Sequence, residues 1–259
     1  AVEMIQTATL IHDDFVDQHP LRRNRAAAWT LEGGRRAVLL GDIIFASAIH
    51  MMSEIGRDDG LIVSRAIAEI SRGAYHEPLD PPGLLEVIEN NRIETGLYPK
   101  IISLKTGVLF GAACELGAIT AGVNDKERES WRQYGLRIGE AYQIADDLQD
   151  VEQCLLNQYV EKSRMASITP ALLFFVGENG AACILDSLRK ERTDLKGELL
   201  ANFLKAAESM KAEKEARLRS AVDGFMEDRA DGDIYRLVIR APWELIAMFD
   251  GATIPESSP

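Results

Sequence analysis

Two runs of acidic residues stand out: His12-Asp13-Asp14-Phe15-Val16-Asp17, and Gln143-Ile144-Ala145-Asp146-Asp147-Leu148-Gln149-Asp150. Both contain Asp-Asp-x-x-Asp. On a helix, residues four apart share a face, so Asp13 and Asp17 project together, as do Asp146 and Asp150. Gly139 and Gln143 carry the second stripe back by one turn at each step. Carboxylates crowded on one face repel each other, and each run is embedded in an apolar stretch where charge is costly. A bound cation removes both objections. Mg2+ takes oxygen ligands, keeps waters and shares carboxylates with substrate phosphates. With 41 acidic residues in 259, one such spacing arises by chance, as a solvated acidic face. Two of them, each within an apolar helix, point to Asp13, Asp14, Asp17, Asp146, Asp147 and Asp150 as metal-binding carboxylates. Arg22 and Arg23 follow the first run, and a guanidinium fork suits phosphate oxygens. Lys105-Thr106 lies in an otherwise apolar helix, where a lysine calls for an anionic partner. The plainer alternatives are a solvated basic loop and a lysine snorkelling at a helix edge.

These residues need long helices to hold them, and the hydrophobic spacing supplies such helices throughout. Met4, Ile5, Ala8, Ile11 and Phe15 recur at helical intervals from about Val2 to Asp17, and a polar loop follows Pro20. Further helices are expected over Arg36–Met52, Leu61–Tyr75, Pro99–Ala121, Glu127–Val151 and Asn202–Phe225, with Ser167–Val176 starting another that Gly177 to Gly180 breaks. A proline-rich turn is expected from His76 to Gly83, and a disordered tail over Ile254–Pro259. No alternating strand, fixed-period repeat or dividing linker is evident. The expectation is one all-α domain over residues 1–259. The sequence opens at Ala1 inside what already reads as a helix, so missing upstream helices are expected too.

The net charge of −12, with no long basic stripe, argues against nucleic acid as the partner. An acidic protein acting on a polyanion would use metal ions to screen its own carboxylates. Cys114, Cys154 and Cys183 match no zinc spacing and read as reduced thiols of a cytoplasmic protein. No run of about 18 uncharged apolar residues occurs, so no membrane-spanning helix is expected, and at most peripheral membrane contact.

Four blocks, TATLIHDDFVDQHPLRRNRAAAW, LLGDIIFASA, KTGVLFGAACELGAI and YQIADDLQDV, occur in that order. Together they resemble successive blocks of the trans-polyprenyl diphosphate synthases, over roughly Glu3 to Val151, with a weaker echo at Ile168-Thr169-Pro170. The resemblance implies an all-α isoprenoid-synthase bundle around a central cavity, commonly a homodimer. It also implies a transferase that uses Mg2+ to ionise an allylic prenyl diphosphate and adds isopentenyl diphosphate to it. By the same analogy Asp13, Asp14, Asp17 and Asp146 hold metal, while Arg22 and Lys105 contact the allylic diphosphate. Arg23 contacts isopentenyl diphosphate, with Gln6 where a histidine often stands, and Thr106 and Gln143 turn dipoles toward the carbocation. Lys162 or Arg164 stands in for a family lysine after the second motif. Ala8 and Thr9 match the positions that, when aromatic, form a floor stopping chain growth. Both are small here, so a product longer than geranylgeranyl diphosphate is expected, unless Phe45, Met51 or Met52 sets the floor. The family's Gly-Gly-Lys-x-x-Arg-Pro block lies upstream of anything in this sequence. Competing readings are a weak partner subunit or cyclase of the same fold, an HD-type metal phosphohydrolase built on His12-Asp13, and a non-enzymatic helical scaffold.

Overall fold

The computed structural model describes residues 1–76, 97–226 and 233–250, so the turn expected over 77–83 and the C-terminal tail lie outside the described residues. The elements are α1 (Val2–Val16), a hairpin of β1 (Leu21–Arg22) and β2 (Arg25–Ala26), α2 (Ala28–Glu32), α3 (Gly34–Ile55) and α4 (Arg57–His76). Next come α5 (Leu97–Ile102), a π-helical turn (Ser103–Gly107), α6 (Val108–Thr120) and α7 (Asp125–Asn157). A ribbon strand β3 (Tyr159–Glu161), α8 (Lys162–Val176), α9 (Glu178–Ser187), β4 (Arg192–Asp194), α10 (Gly197–Met226) and α11 (Asp233–Asp250) complete it.

The architecture is all-α, as the periodicity predicts. The two antiparallel ribbons, β1 with β2 and β3 with β4, are short exceptions that the sequence reading missed. Their strands of two or three residues are too brief for an alternating pattern to register. Helices α9 and α11 were also missed: Gly177 ends α8 at φ 76° and at once opens α9, so one glycine is both stop and start.

The central element is α7. Asn124 caps it by accepting a hydrogen bond from the Glu127 amide at 3.0 Å, and Asp125 and Glu127 sit in its first turn, where the helix dipole favours negative charge. It packs against α6 on one side and α10 on the other, and α1, α3 and α4 stack outward in turn. One apolar cluster gathers Ile5, Ala48, Val63, Ala66 and Leu109, with Leu136 of α7 at its margin. A second gathers Ile144 and Leu148 of α7 with Leu172, Ile184, Phe203 and Met210. α7 therefore meets both clusters, and its acidic run is interleaved with Ile144, Leu148 and Val151 of the second.

Two helical stretches, Gly34–Ile55 and Leu97–Thr120, are long and apolar enough to cross a membrane by length and composition. Each tolerates charge along the way, Asp42 in one and Lys105 in the other, which is why a search for uncharged runs passed over them. Leu97–Thr120 is half buried inside the protein, whereas most of α3 is open, exposing Leu39, Leu40, Ile43, Met51 and Ile55.

Candidate active site

Beside the C-terminal end of α1, the side chains of Thr9, Asp13, Asp17, Phe45, Ile70 and Lys105 line a cavity of about 360 Å³. Asp13 is half-buried and Asp17, the C-cap residue, is exposed, so the two carboxylates at helical spacing meet one space. Asp14 behaves otherwise. It is buried, and the Arg22 guanidinium donates to its Oδ1 from Nε at 2.7 Å, with a second nitrogen at 2.6 Å. Arg22 arrives there because Arg23 and Asn24 both take left-handed backbone, at φ 49° and 61°. They form a two-residue turn that folds β1 onto β2. Arg23 is thereby exposed at the hairpin tip, away from Arg22's partner.

Lys105 reaches the cavity from the π-helical turn, an irregularity that favours functional sites because it breaks the ordinary face pattern. Two glycines admit the turn. A Cβ on Gly73 of α4 would come within 2.9 Å of Leu104, and one on Gly139 of α7 within 2.8 Å of the Gly107 Cα. The close approach at Gly139 brings Gln143, one turn later, against Thr106, whose hydroxyl lies 2.6 Å from the Gln143 amide oxygen.

On α7, Asp146 opens to solvent, Asp150 pairs with Arg164, and Asp147 turns inward. Asp147 accepts from the Tyr98 hydroxyl at 2.7 Å on Oδ2 and from the Gln143 amide at 3.1 Å on Oδ1. Burial pushes the Asp147 carboxyl up to about 7, although the Tyr98 and Gln143 hydrogen bonds pull the other way. The Asp146 carboxyl is raised by desolvation and by Asp150, and Arg164 and Lys105 hold it down. Lys105 thus lines the cavity with Asp13 and Asp17 while its charge reaches Asp146 on the other motif.

The structure therefore gathers Thr9, Asp13, Asp17 and Lys105 at one cavity, and Thr106, Gln143 and Asp147 in one hydrogen-bonded chain. Several expectations need correction. Ala8 has no exposed surface and is no part of the cavity lining, because the face of α1 one residue before Thr9 turns into the core. Among the residues first named as a possible floor, Phe45 lines the cavity, Met52 is core and Met51 is exposed. Gln6 is exposed on α1. Lys162 bonds Glu191 at 2.9 Å at the end of the β3–β4 ribbon, leaving Arg164 as the cation on the second motif. Asp147 has a protein donor on each oxygen, and Asp14 takes both Arg22 nitrogens on Oδ1. The HD-type metal site lacks its histidines: His12 contacts the Val38 carbonyl at 2.9 Å, and His19 and His50 are exposed. Among the described residues no group of three or more His, Cys, Asp or Glu able to hold a metal occurs, the aspartates of both motifs included. Sequence reasoning missed Tyr98. It lies in the first turn of α5, one residue before Pro99, where the sequence reading begins its helix.

Comparison with known proteins turns this geometry into a family. Residues 1–160 match the polyprenyl synthetase family. The chain is a member of that family. Octaprenyl diphosphate synthase from Escherichia coli (strain K12) is 36% identical over 153 residues, covering 58% of this chain and 44% of that protein. A short chain isoprenyl diphosphate synthase from Methanocaldococcus jannaschii is 34% identical over 156 residues, covering 58% and 45%. The chain thus spans under half the length of these curated relatives. A crystal structure of polyprenyl synthase from Caulobacter crescentus CB15, complexed with calcium and isoprenyl diphosphate, superposes with a TM-score of 0.67 at 28% identity. That superposition covers 95% of this chain and 76% of that one.

The family resemblance implies a divalent cation, and the donor set fits one. Asp13, Asp17 and Asp146 are hard oxygen donors around a common lysine. Asp146 carries a carboxyl that burial and Asp150 raise, which a neighbouring cation would lower again. These carboxylates form no closed metal-holding group among the described residues, so water and substrate oxygens would complete the coordination of a bound cation.

Proposed function

We propose that this chain elongates allylic prenyl diphosphates with isopentenyl diphosphate by Mg2+-assisted ionisation, giving a product longer than geranylgeranyl diphosphate. The reading rests above all on Lys105, which lines the cavity with Asp13 and Asp17 and acts electrostatically on Asp146. One basic group within reach of both acidic motifs supports a single diphosphate centre between them.

In this reading Asp13, Asp17 and Asp146 hold the metal ions. Asp150 is neutralised by Arg164, and Asp14 and Asp147 brace the site rather than ligate. The bound ions would supply positive charge against the diphosphate as it departs. Lys105 adds a fixed cation there, and Arg164 can exchange Asp150 for a phosphate oxygen. The electrons of the allylic C–O bond leave with the diphosphate. The double bond of isopentenyl diphosphate attacks the carbocation, and a proton then passes to the departing diphosphate. Thr106 and Gln143 set their dipoles toward the cation, and Phe45, Ile70 and Val38 keep water from it. Arg23 and Gln6, both exposed, are the proposed contacts for isopentenyl diphosphate.

Product length is read from Thr9, whose small side chain lines the cavity with Phe45 and Ile70 where an aromatic residue would fill it. The relatives include makers of octaprenyl and short-chain products, so the lining rather than the resemblance supports the longer one. We also read residues 1–259 as one all-α unit, because α7 belongs to both apolar clusters. The exposed apolar face of α3 supports a homodimer, and three free cysteines support a reducing, cytoplasmic setting.

The deciding experiment incubates the protein with Mg2+, isopentenyl diphosphate and allylic primers of several lengths, and identifies products by mass spectrometry. Elongation that Asp13→Asn and Asp146→Asn each reduce by about a hundredfold or more is expected. Failure of every primer to elongate, with no thermal shift from Mg2+ and a diphosphate analogue, would leave the scaffold reading standing.

A further inference from the structure

We infer that Tyr98 is a positioning residue of the ionisation step: through Asp147 it fixes which end of the Gln143 amide, and hence which end of the Thr106 hydroxyl dipole, faces the reacting centre. The inference rests on the proposed prenyl transfer and assigns a role to a residue that touches neither substrate.

The hydrogen bonds run in one direction. Both neighbours of Asp147 donate to it. Tyr98 does so at Oδ2 and the Gln143 amide nitrogen at Oδ1, at 2.7 Å and 3.1 Å. Gln143 must then present its oxygen to Thr106, 2.6 Å away. An amide oxygen cannot donate, so the Thr106 hydroxyl proton is committed to it. What Thr106 has left for its other surroundings is lone pairs, the negative end of its dipole. Thr106 is partly exposed and directly follows the cavity-lining Lys105 in the π turn; in the proposed prenyl transfer those lone pairs are set toward the positive charge that develops as a diphosphate leaves.

Tyr98 is built to hold this setting. It is 3% exposed, and its ring is wedged between Phe174 at 5.7 Å and Phe175 at 5.6 Å between centroids. Burial and the Asp147 charge keep its phenol protonated well above the ordinary range, so it remains a donor. Without the hydroxyl, one Asp147 oxygen loses its partner inside the protein, and the carboxylate can rotate away from Gln143. A released amide can turn over and offer nitrogen to Thr106. The hydroxyl proton then points outward, and the dipole meets the cation with the wrong sign.

The test compares wild type, Tyr98→Phe, Asp147→Asn and the double variant. Tyr98→Phe deletes one oxygen and keeps the ring packing. Asp147→Asn keeps the volume but replaces one of the two acceptor oxygens with a donor, so Tyr98 and Gln143 no longer each have an oxygen to donate to. The expected result is a fall in kcat of about tenfold in each single variant, with KM for both diphosphates unchanged. The double variant should be no worse than the poorer single one, because both act through one amide. The side-chain amide NMR signals of Gln143 should move in Tyr98→Phe while those of Gln153 and the melting temperature stay put. A Tyr98→Phe enzyme with wild-type kcat, or a loss carried by KM or by the melting temperature with unmoved Gln143 signals, overturns the inference while prenyl transfer stands. A wild type that condenses no primer overturns prenyl transfer and the kinetic role together, even if the Gln143 signals respond.

Discussion

At the scale of single residues, the six aspartates of the two motifs separate by what else they touch. Asp14 and Asp147 are each held by two protein nitrogens or oxygens, whereas Asp13 and Asp17 line the cavity. Asp147 has a consequence for stability. Its folded-state value of about 7 lies above the ordinary 3.8, so the native protein keeps a proton that the unfolded chain has lost. Stability contributed by this group is present below the ordinary value and declines as pH rises toward neutrality, by up to about 4 kcal/mol. Asp147→Asn should therefore flatten the loss of melting temperature of the metal-free protein between about pH 4 and pH 7. An unchanged slope would count against the buried carboxyl. Thr9 and Phe45 carry the chain-length prediction. Thr9→Phe should shorten the product and Phe45→Ala lengthen it, as read by mass spectrometry. Ala8→Phe, by contrast, would overpack the core and cost about 1–3 kcal/mol of stability, because no cavity lies beside it.

At the scale of elements, the π-helical turn is what the hydrophobic spacing could not reveal. A run from Pro99 to Ala121 reads as one apolar helix, and it is one in outline. The widened turn depends on Gly73 and Gly139, which are distant in the chain and admit the neighbouring helices from either side. Lys105 and Thr106 owe their directions to that fit. Gly139→Ala places a methyl group 2.8 Å from the Gly107 Cα, closer than atoms pack. We expect it to lower stability by about 1–3 kcal/mol and to reduce kcat further than Gly117→Ala. At Gly117 an added Cβ meets nothing within 4 Å, so that variant controls for helix propensity. Equal effects of the two substitutions would remove the turn from the mechanism.

At the scale of the whole molecule, the unpartnered surface is α3. Leu39, Leu40 and Ile43 are 49%, 38% and 62% exposed, neighbouring residues on one side of the helix that form an apolar patch of a kind another protein covers. A second copy is the occupant we propose, since Asp42 on the same helix disfavours the bilayer. Ile43→Asp should convert a dimer to a monomer in light scattering, with the monomer's circular dichroism unchanged. A dimer that survives the substitution places the interface elsewhere.

The chain alone determined the helical class, the two acidic stripes and the cations near them, because each depends on residue type and on local helical spacing. Four blocks in order also sufficed to expect the family. It could not determine that Asp14 and Asp147 are held by protein partners, since Arg22 reaches Asp14 through a hairpin and Tyr98 reaches Asp147 from another helix. Nor could it tell Ala8 from Thr9, adjacent residues on a helix that differ only in which of them faces the core. Those distinctions are made by packing, where one residue's turn about a helix axis exchanges a cavity wall for an interior.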